Sequence, residues 1–536
     1  MAEETDTNTS APPLLPRISD YVSWFAERTP DAEAMVLGGV RTTYAELEAR
    51  VDALARALLA AGVRKGDRVA TLATPSPEYF ESFLATASIG AIWLGLNPRY
   101  QLEELCYAAG DSEPSVLLTR AVIGARDYSA EISALRERTP SLRSVVVFER
   151  DAEHSPGFAQ PYSGFIADGE RCSDAALESA REACGGRDPC MIVYTSGSTG
   201  RPKGALLHHE GIVAFSLEQN RVWPVSPMRA LNYFPINHIG CVVDLSCPTL
   251  VVGGSIVFLE DFSPRRSLEL MEQERVTLWG SVPSTFQLQF SEPDFESFDL
   301  SAVQMIMWGG AAMPRELITR LLDFDRPLAT NYGLTESGSA ITVIPPTRDA
   351  DLLETTVGWP FRGTEVRLVD REGEPVADGE AGEIQSRSIY NMLGYWRRPD
   401  ATAETLTPDG WLATGDLGRR NPDGSYSIVG RVKEMYKSGG YNVYPREVEQ
   451  VIESHPAVDM AAVVSTKDPV WQEVGVAYVL PSADISIETL RAWCRQRLAN
   501  YKLPKLFVIV EQLPLLPIGK VDKVTLTKRA EDDYQP

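Results

Sequence analysis

Apolar positions along this chain switch repeatedly between helical spacing and strict alternation. Thr43-Tyr-Ala-Glu46 reads as a capping box. It is followed by Leu47, Val51, Leu54, Leu58 and Leu59 on one helical face, with Gly62 as the stop. Arg68 to Leu72 reads as a strand, Pro77 to Ser88 as a helix and Ala91 to Leu94 as a second strand. The same alternation recurs through Leu231 to Phe234, Ser255 to Leu259, Thr277 to Val282 and Val303 to Trp308. Such a pattern predicts an α/β fold of mostly parallel strands under helices. Sheets of this kind place ligands at the carboxyl ends of their strands, where the loops after Tyr194, Phe234 and Trp308 would gather. Beyond about Ala381 the texture changes to short strands and turns such as Pro422-Asp-Gly424, and a charged, Gly-rich segment begins near Lys433. The expected organisation is a disordered tail over 1–16, a large domain over 17–432 and a small α+β domain over 433–536.

With 536 residues the chain is too long for one core, which agrees with at least two domains. A net charge of -23 argues against nucleic acid or an anionic membrane as partner. From Arg431 onward there are 14 basic and 14 acidic residues, so the whole excess lies upstream and a polyanionic substrate meets less repulsion on the C-terminal part. The seven cysteines are scattered and form no C-x-x-C, which argues against a disulfide framework or a zinc site and favours a reducing, cytoplasmic setting. The acidic start Met-Ala-Glu-Glu lacks the pattern of a signal peptide. The apolar run Cys241 to Leu259 is broken by Asp244, Pro248 and Gly253-Gly254, so it reads as buried helix and strand, and no integral membrane contact is expected.

The densest chemistry lies in Tyr194-Thr-Ser-Gly-Ser-Thr-Gly-Arg-Pro-Lys-Gly204. After a short apolar run, Gly197, Gly200 and Gly204 allow close backbone approach, while Thr195, Ser196, Ser198, Thr199 and Lys203 offer donors to phosphate oxygens. A Walker loop is excluded by spacing, because Lys203 is followed by glycine. A Gly/Ser linker fits poorly with the embedded Lys and Pro. Asn331-Tyr-Gly-Leu-Thr-Glu-Ser-Gly338 offers an aromatic, a hydroxyl and a carboxylate, though a capped turn explains part of it. Asp416, in Gly410-Trp-Leu-Ala-Thr-Gly-Asp416, suits a pair of hydroxyls, and alone would read as a turn residue.

Together these segments resemble, in order across roughly Tyr194 to Lys523, the motifs of the adenylate-forming superfamily, most closely its AMP-forming acyl-CoA synthetases. The resemblance implies a large N-terminal domain of layered α/β sheets with a small β-barrel-like portion, and a small mobile C-terminal domain. It assigns Thr195, Ser196, Gly197, Ser198, Thr199, Gly200 and Lys203 to the phosphates, Tyr332 to adenine, Thr335 to the α-phosphate and Glu336 to Mg2+. Gly310, Ala311, Asn331 and Gly333 join the nucleotide site, with Asp416 and Arg431 at the ribose. Lys437-Ser-Gly-Gly-Tyr-Asn-Val-Tyr-Pro445 resembles the thioesterification loop, where Lys437, Gly439 and Gly440 admit the pantetheine arm of coenzyme A. Pro517-Ile-Gly-Lys520 resembles the mobile lysine loop and makes Lys520 the adenylation residue, although among Lys523, Lys528 and Arg529 it reads locally as a solvated lysine. Two loops for two half-reactions on one small domain imply rotation about a hinge at Lys433, where the following residue is Glu434 instead of the commoner Asp.

Phe234-Pro-Ile-Asn-His238-Ile-Gly240 resembles the segment in which a histidine borders the acid, with Asn237 in place of a bulky apolar residue. A core or surface His238 is the bland alternative, and His209 reads as structural. Trp308, beside Gly309, either narrows the acyl cavity toward aromatic, alicyclic or modest-length acids or belongs to the core. Asp244 reads either as a contact for a cationic substrate or as a helix-surface carboxylate. The expected activity is ATP-dependent ligation of a hydrophobic aliphatic, aromatic or alicyclic acid to CoA, using ATP, Mg2+ and coenzyme A, with a homodimer as one assembly the sequence leaves open. The rivals are an acyl-AMP ligase loading a carrier protein, a luciferase-like oxidase and a non-catalytic nucleotide-binding protein.

Overall fold

The capping box at Thr43 forms in both halves. Glu46 N donates to Thr43 Oγ1 at 3.2 Å and Thr43 N to Glu46 Oε2 at 2.9 Å, opening the helix Tyr44–Ala60. Leu47, Val51, Leu54 and Leu58 are fully or almost fully buried along that helix, as their spacing requires. In this computed structural model, which describes residues 12–195, 201–438, 441–515 and 521–535, the chain forms two compact units. The first comprises Met1–Glu354, Pro360–Glu365 and Arg387–Leu412, and the second Thr355–Trp359, Val366–Ser386 and Ala413–Pro536. Of the expected tail, Pro13 and Leu15 are docked: the Tyr21 hydroxyl donates to the Pro13 carbonyl at 2.5 Å, and Leu15 packs on the core.

Two large sheets organise the first unit. In one, strand Arg68–Leu72 pairs in parallel with Ile92–Leu96 through the helix Pro77–Ser88, and Ile92–Leu96 in turn pairs in parallel with Pro189–Thr195. In the other, Arg229–Asn232 lies between Ser255–Phe258 and Leu278–Ser281, and Met305–Trp308 and Leu328–Leu334 follow outward, all in parallel. The mostly parallel α/β layering expected from the alternating pattern is therefore present, with strand ends displaced by at most two residues from the sequence reading. Cys241 to Leu259 forms the turn of π-helix Gly240–Ser246, the helix Cys247–Val251 and the strand Ser255–Phe258. Among the described residues no helix is long and apolar enough to cross a membrane, and all seven cysteines are free.

Strands Thr364–Val369, Ala381–Ser388, Leu412–Arg420 and Tyr426–Arg431, most of whose residues belong to the second unit, form a four-stranded sheet. A further sheet is built around the long antiparallel pair Val458–Asp468 and Gln472–Pro481. Helices Pro445–Glu453 and Ile487–Arg495 close one apolar cluster against it, and Lys523–Asp533 closes another.

Candidate active site

Strand Pro189–Thr195 runs antiparallel to Lys203–His208, which sets Thr195 opposite Lys203 at the base of the intervening loop. From there Thr195 Oγ1 donates to Glu336 Oε1 at 3.1 Å, and the Tyr395 hydroxyl donates to the same oxygen at 2.8 Å. Lys203 Nζ sits 4.8 Å from the centre of the Tyr395 ring, a cation–π distance. A hydroxyl, a carboxylate, a phenol and an ammonium thus converge within the first unit. Burial, then the negative charge of Glu336, pushes the Tyr395 phenol above its ordinary value, so it stays a donor. Sequence reading missed Tyr395. It reaches the site through a two-residue strand, Gly394–Tyr395, pairing with Leu206 and Ala205, which has no local signature.

Thr335 and Glu336 are carried on a tight turn between Leu334 and Ser339. Leu334 N donates to Ser337 Oγ at 2.9 Å, Gly338 N to Thr335 O at 3.0 Å, and Met392 N holds the Glu336 carbonyl at 2.8 Å. Two glycines are required here. A Cβ on Gly333 would lie 1.6 Å from the Ser339 carbonyl oxygen, and Gly338 adopts φ +66° with a Cβ position 2.1 Å from the Tyr390 oxygen. Tyr332 and Asn331 lie half-buried at the end of the same strand, and the Cβ position of Gly309 is 3.0 Å from Asn331 Oδ1. Gly310, at φ +79°, and Ala311 continue outward and are exposed. The structure therefore gathers Gly309, Asn331 and Tyr332 at the carboxyl ends of neighbouring strands.

In the acyl segment, His238 is exposed and its Nδ1 accepts from Gly240 N at 3.0 Å, while Asn237 Nδ2 donates to the Tyr100 hydroxyl at 3.1 Å. Trp308 is 2% exposed and packs in the apolar cluster of its own sheet. His209 is buried beside Cys184, with Nε2 3.5 Å from Sγ, and burial pulls its imidazole down to about 3, which agrees with a structural role.

Asp244 is not a surface carboxylate. Burial pushes its carboxyl up to about 6, against the opposing hydrogen bond from the Ser339 hydroxyl. The native state therefore keeps a proton that the unfolded chain releases near 3.8, and the resulting stabilisation is lost as pH rises through about 6. Asp244→Asn is expected to raise thermal stability at pH ~8 by about 2 kcal/mol and to change it little at pH ~4.5. Equal shifts in melts at both pH values would contradict this.

In the second unit, cross-strand partners Asp416 and Arg431 form an ion pair, Arg431 Nε to Asp416 Oδ1 at 3.0 Å. Asp416 is buried and Arg431 exposed. Lys433 is exposed in the next turn, where Met435 N donates to Arg431 O at 3.0 Å. Lys437 is exposed on the strand Tyr436–Ser438, its backbone N donating to Glu473 Oε2 at 3.1 Å. Ser196, Gly197, Ser198, Thr199, Gly200, Gly439, Gly440 and Lys520 lie outside the described residues. Among the described residues no group of three or more His, Cys, Asp or Glu side chains is placed to hold a metal.

Thr195, Lys203, Glu336 and Tyr395 thus meet at the strand ends of a layered α/β scaffold, where folds of this kind place their ligands. The model of the AMP-binding enzyme matches residues 22–396, and that of the AMP-binding enzyme C-terminal domain matches 447–520. The chain belongs to the AMP-binding enzyme family. It is 38% identical over 510 residues to a feruloyl-CoA synthase of Amycolatopsis sp, covering 94% of this chain and 97% of that one. An indoleacetate–CoA ligase of Aromatoleum aromaticum is 32% identical over 509 residues, covering 94% and 96%. Among solved structures, an amide bond synthetase from Marinactinospora thermotolerans superposes with a TM-score of 0.84 at 29% identity, covering 96% of this chain and 100% of that one.

Proposed function

We propose that the substrate of this AMP-forming acid–CoA ligase is an aromatic or aryl-substituted carboxylic acid. The convergence of Thr195, Lys203, Glu336 and Tyr395 supports the nucleotide chemistry, and the feruloyl- and indoleacetate-activating relatives support the acid class. In the first step a carboxylate oxygen of the acid attacks the α-phosphorus of ATP; the P–O bond to the β-phosphate breaks and pyrophosphate leaves. In the second, the CoA sulfur attacks the acyl carbon, the bond to AMP breaks and the thiol proton is released. No protein nucleophile enters either step.

Lys203 and Thr195, with the loop between them, bind the phosphates, and Thr335 meets the α-phosphate. Asp416 accepts from the ribose hydroxyls and Arg431 assists, while Tyr332 stacks on adenine beside Gly310, Ala311, Asn331 and Gly333, and Gly309 belongs to the acid pocket. His238 borders the acid, and Trp308 shapes its pocket from within the core. Lys520 carries adenylation, whereas Lys437, Gly439 and Gly440 admit pantetheine after rotation at Lys433. Both hydroxyl donors to Glu336 fall on Oε1, and one carboxylate alongside substrate phosphates suits magnesium, which keeps most of its oxygen ligands from water and phosphate. When bound, Mg2+ neutralises phosphate charge.

The test compares kcat/KM for cinnamate-type and arylacetic acids with linear acids of equal carbon number. At least a tenfold advantage for the aryl acids is expected, on the order of what a shaped apolar pocket supplies. A linear acid matching or exceeding them would overturn the proposed class.

A further inference from the structure

The two steps leave Tyr395 without a role, although it touches two of the groups they use. Its hydroxyl donates to Glu336 Oε1 at 2.8 Å, and Lys203 Nζ lies 4.8 Å from the centre of its ring. Thr195 Oγ1 donates to the same carboxylate oxygen at 3.1 Å. All four residues are half-buried and belong to the first unit. Among the described residues no ion pair joins Lys203 directly to Glu336, and the phenol is the link between them. The chain holds Tyr395 there from both sides. Gly394 and Tyr395 pair with Leu206 and Ala205 on the strand that Lys203 begins, and Leu393 N donates to Leu206 O at 2.9 Å and Trp396 N to Gly204 O at 2.7 Å. Tyr395 N donates to Thr402 Oγ1 at 2.9 Å. Asp111 gathers the neighbours of both donors to Glu336. Its Oδ2 accepts from the Tyr194 hydroxyl at 2.7 Å, its Oδ1 pairs with Arg398 Nη2 at 2.5 Å, and its carbonyl accepts from Trp396 Nε1 at 3.0 Å. Tyr194 precedes Thr195 and Trp396 follows Tyr395, so one aspartate sets the spacing of the two hydroxyls that grip the carboxylate.

We propose that Tyr395 is a positioning residue for adenylation, which keeps Lys203 and Glu336 apart and available to ATP. The carboxylate takes the hydroxyl of the phenol and the ammonium takes its face, so each charge is satisfied by the ring instead of by the other. A phenol that donates to a carboxylate is polarised toward its ring, which strengthens the ring's hold on the ammonium. Without the ring, an ammonium and a carboxylate in a half-buried setting close into a direct ion pair, because opposite charges attract strongly where water screens them little. Both groups are then withdrawn from the triphosphate. The inference rests on the reading of Lys203 and Glu336 as groups that meet the nucleotide.

The test uses the full chain and two readouts: equilibrium binding of Mg-ATP without acid, and single-turnover acyl-adenylate formation from acid and Mg-ATP. Tyr395→Phe keeps the ring and removes the donor. It is expected to slow adenylation roughly threefold to tenfold while the ATP dissociation constant changes less than about twofold. Tyr395→Leu removes ring and donor together, and is expected to weaken ATP binding about tenfold and to slow adenylation roughly 10- to 100-fold. Lys203→Gln alone is expected to weaken ATP binding about tenfold or more, whereas in a Tyr395→Leu background it should add less than about twofold, because the lysine is already withdrawn. Tyr395→Phe preserves the shape of the side chain, so it decides the question even where Tyr395→Leu does not fold. Wild-type adenylation in Tyr395→Phe, equal constants for Tyr395→Phe and Tyr395→Leu, or independent losses from Lys203→Gln and Tyr395→Leu would each overturn the proposal. Full ATP affinity in Lys203→Gln together with full adenylation in Glu336→Gln would instead overturn the reading of those two groups.

Discussion

Lys520→Ala is expected to lower acyl-adenylate formation by roughly two to three orders of magnitude, the size of effect seen when one preorganised charge-stabilising group is removed. Attack of a carboxylate on an α-phosphate brings two anions together, and a positioned ammonium offsets their repulsion and the charge that develops on the phosphate oxygens. The second half-reaction has no such need, because the attacked carbon of the mixed anhydride is already electrophilic. Thioester formation from supplied acyl-adenylate should therefore stay within about threefold of wild type. Rapid-quench measurement of each step separates these outcomes, and equal loss in both would contradict the assignment.

Gly333→Ala is expected to have the next largest effect. Its Cβ would sit 1.6 Å from the Ser339 carbonyl oxygen, so the strand pair around the turn must separate. Forcing a methyl into that space costs about 3 kcal/mol or more. It also shifts Thr335 and Glu336, for which a loss of roughly 100-fold in adenylation is expected. Gly157→Ala, with nothing within 4 Å of its Cβ position, is the control and should leave both stability and rate unchanged. Pyrophosphate exchange together with thermal melts reads both quantities; a Gly333→Ala enzyme with wild-type exchange would contradict the requirement for glycine.

Local signals in the sequence carried the scaffold well. The capping box at Thr43, the strand at Arg68–Leu72 and the helix Pro77–Ser88 depend on neighbours within a few residues, and they form at the expected places. Features made by distant segments were not legible. Tyr395 joins Glu336 only because Gly394–Tyr395 pairs with a strand far upstream, and nothing in its own neighbourhood marks it. Asp244 interrupts an apolar run and so looked compatible with a helix surface, yet Ser339 arrives from another element to cover it. The ion pairs of Lys523 were not legible either, because its partners Glu434 and Glu449 come from other parts of the chain. Trp308 could face either way from a strand end; packing against its own sheet turns it to the core.

The most direct measurement is a product balance: the chain with Mg-ATP, an aryl carboxylic acid and CoA, followed by mass spectrometry and nucleotide analysis. One AMP, one pyrophosphate and one CoA thioester per acid consumed is the expected result. Release of ADP and phosphate, or ATP binding with no acid-dependent pyrophosphate across the acid panel, would contradict an AMP-forming ligase.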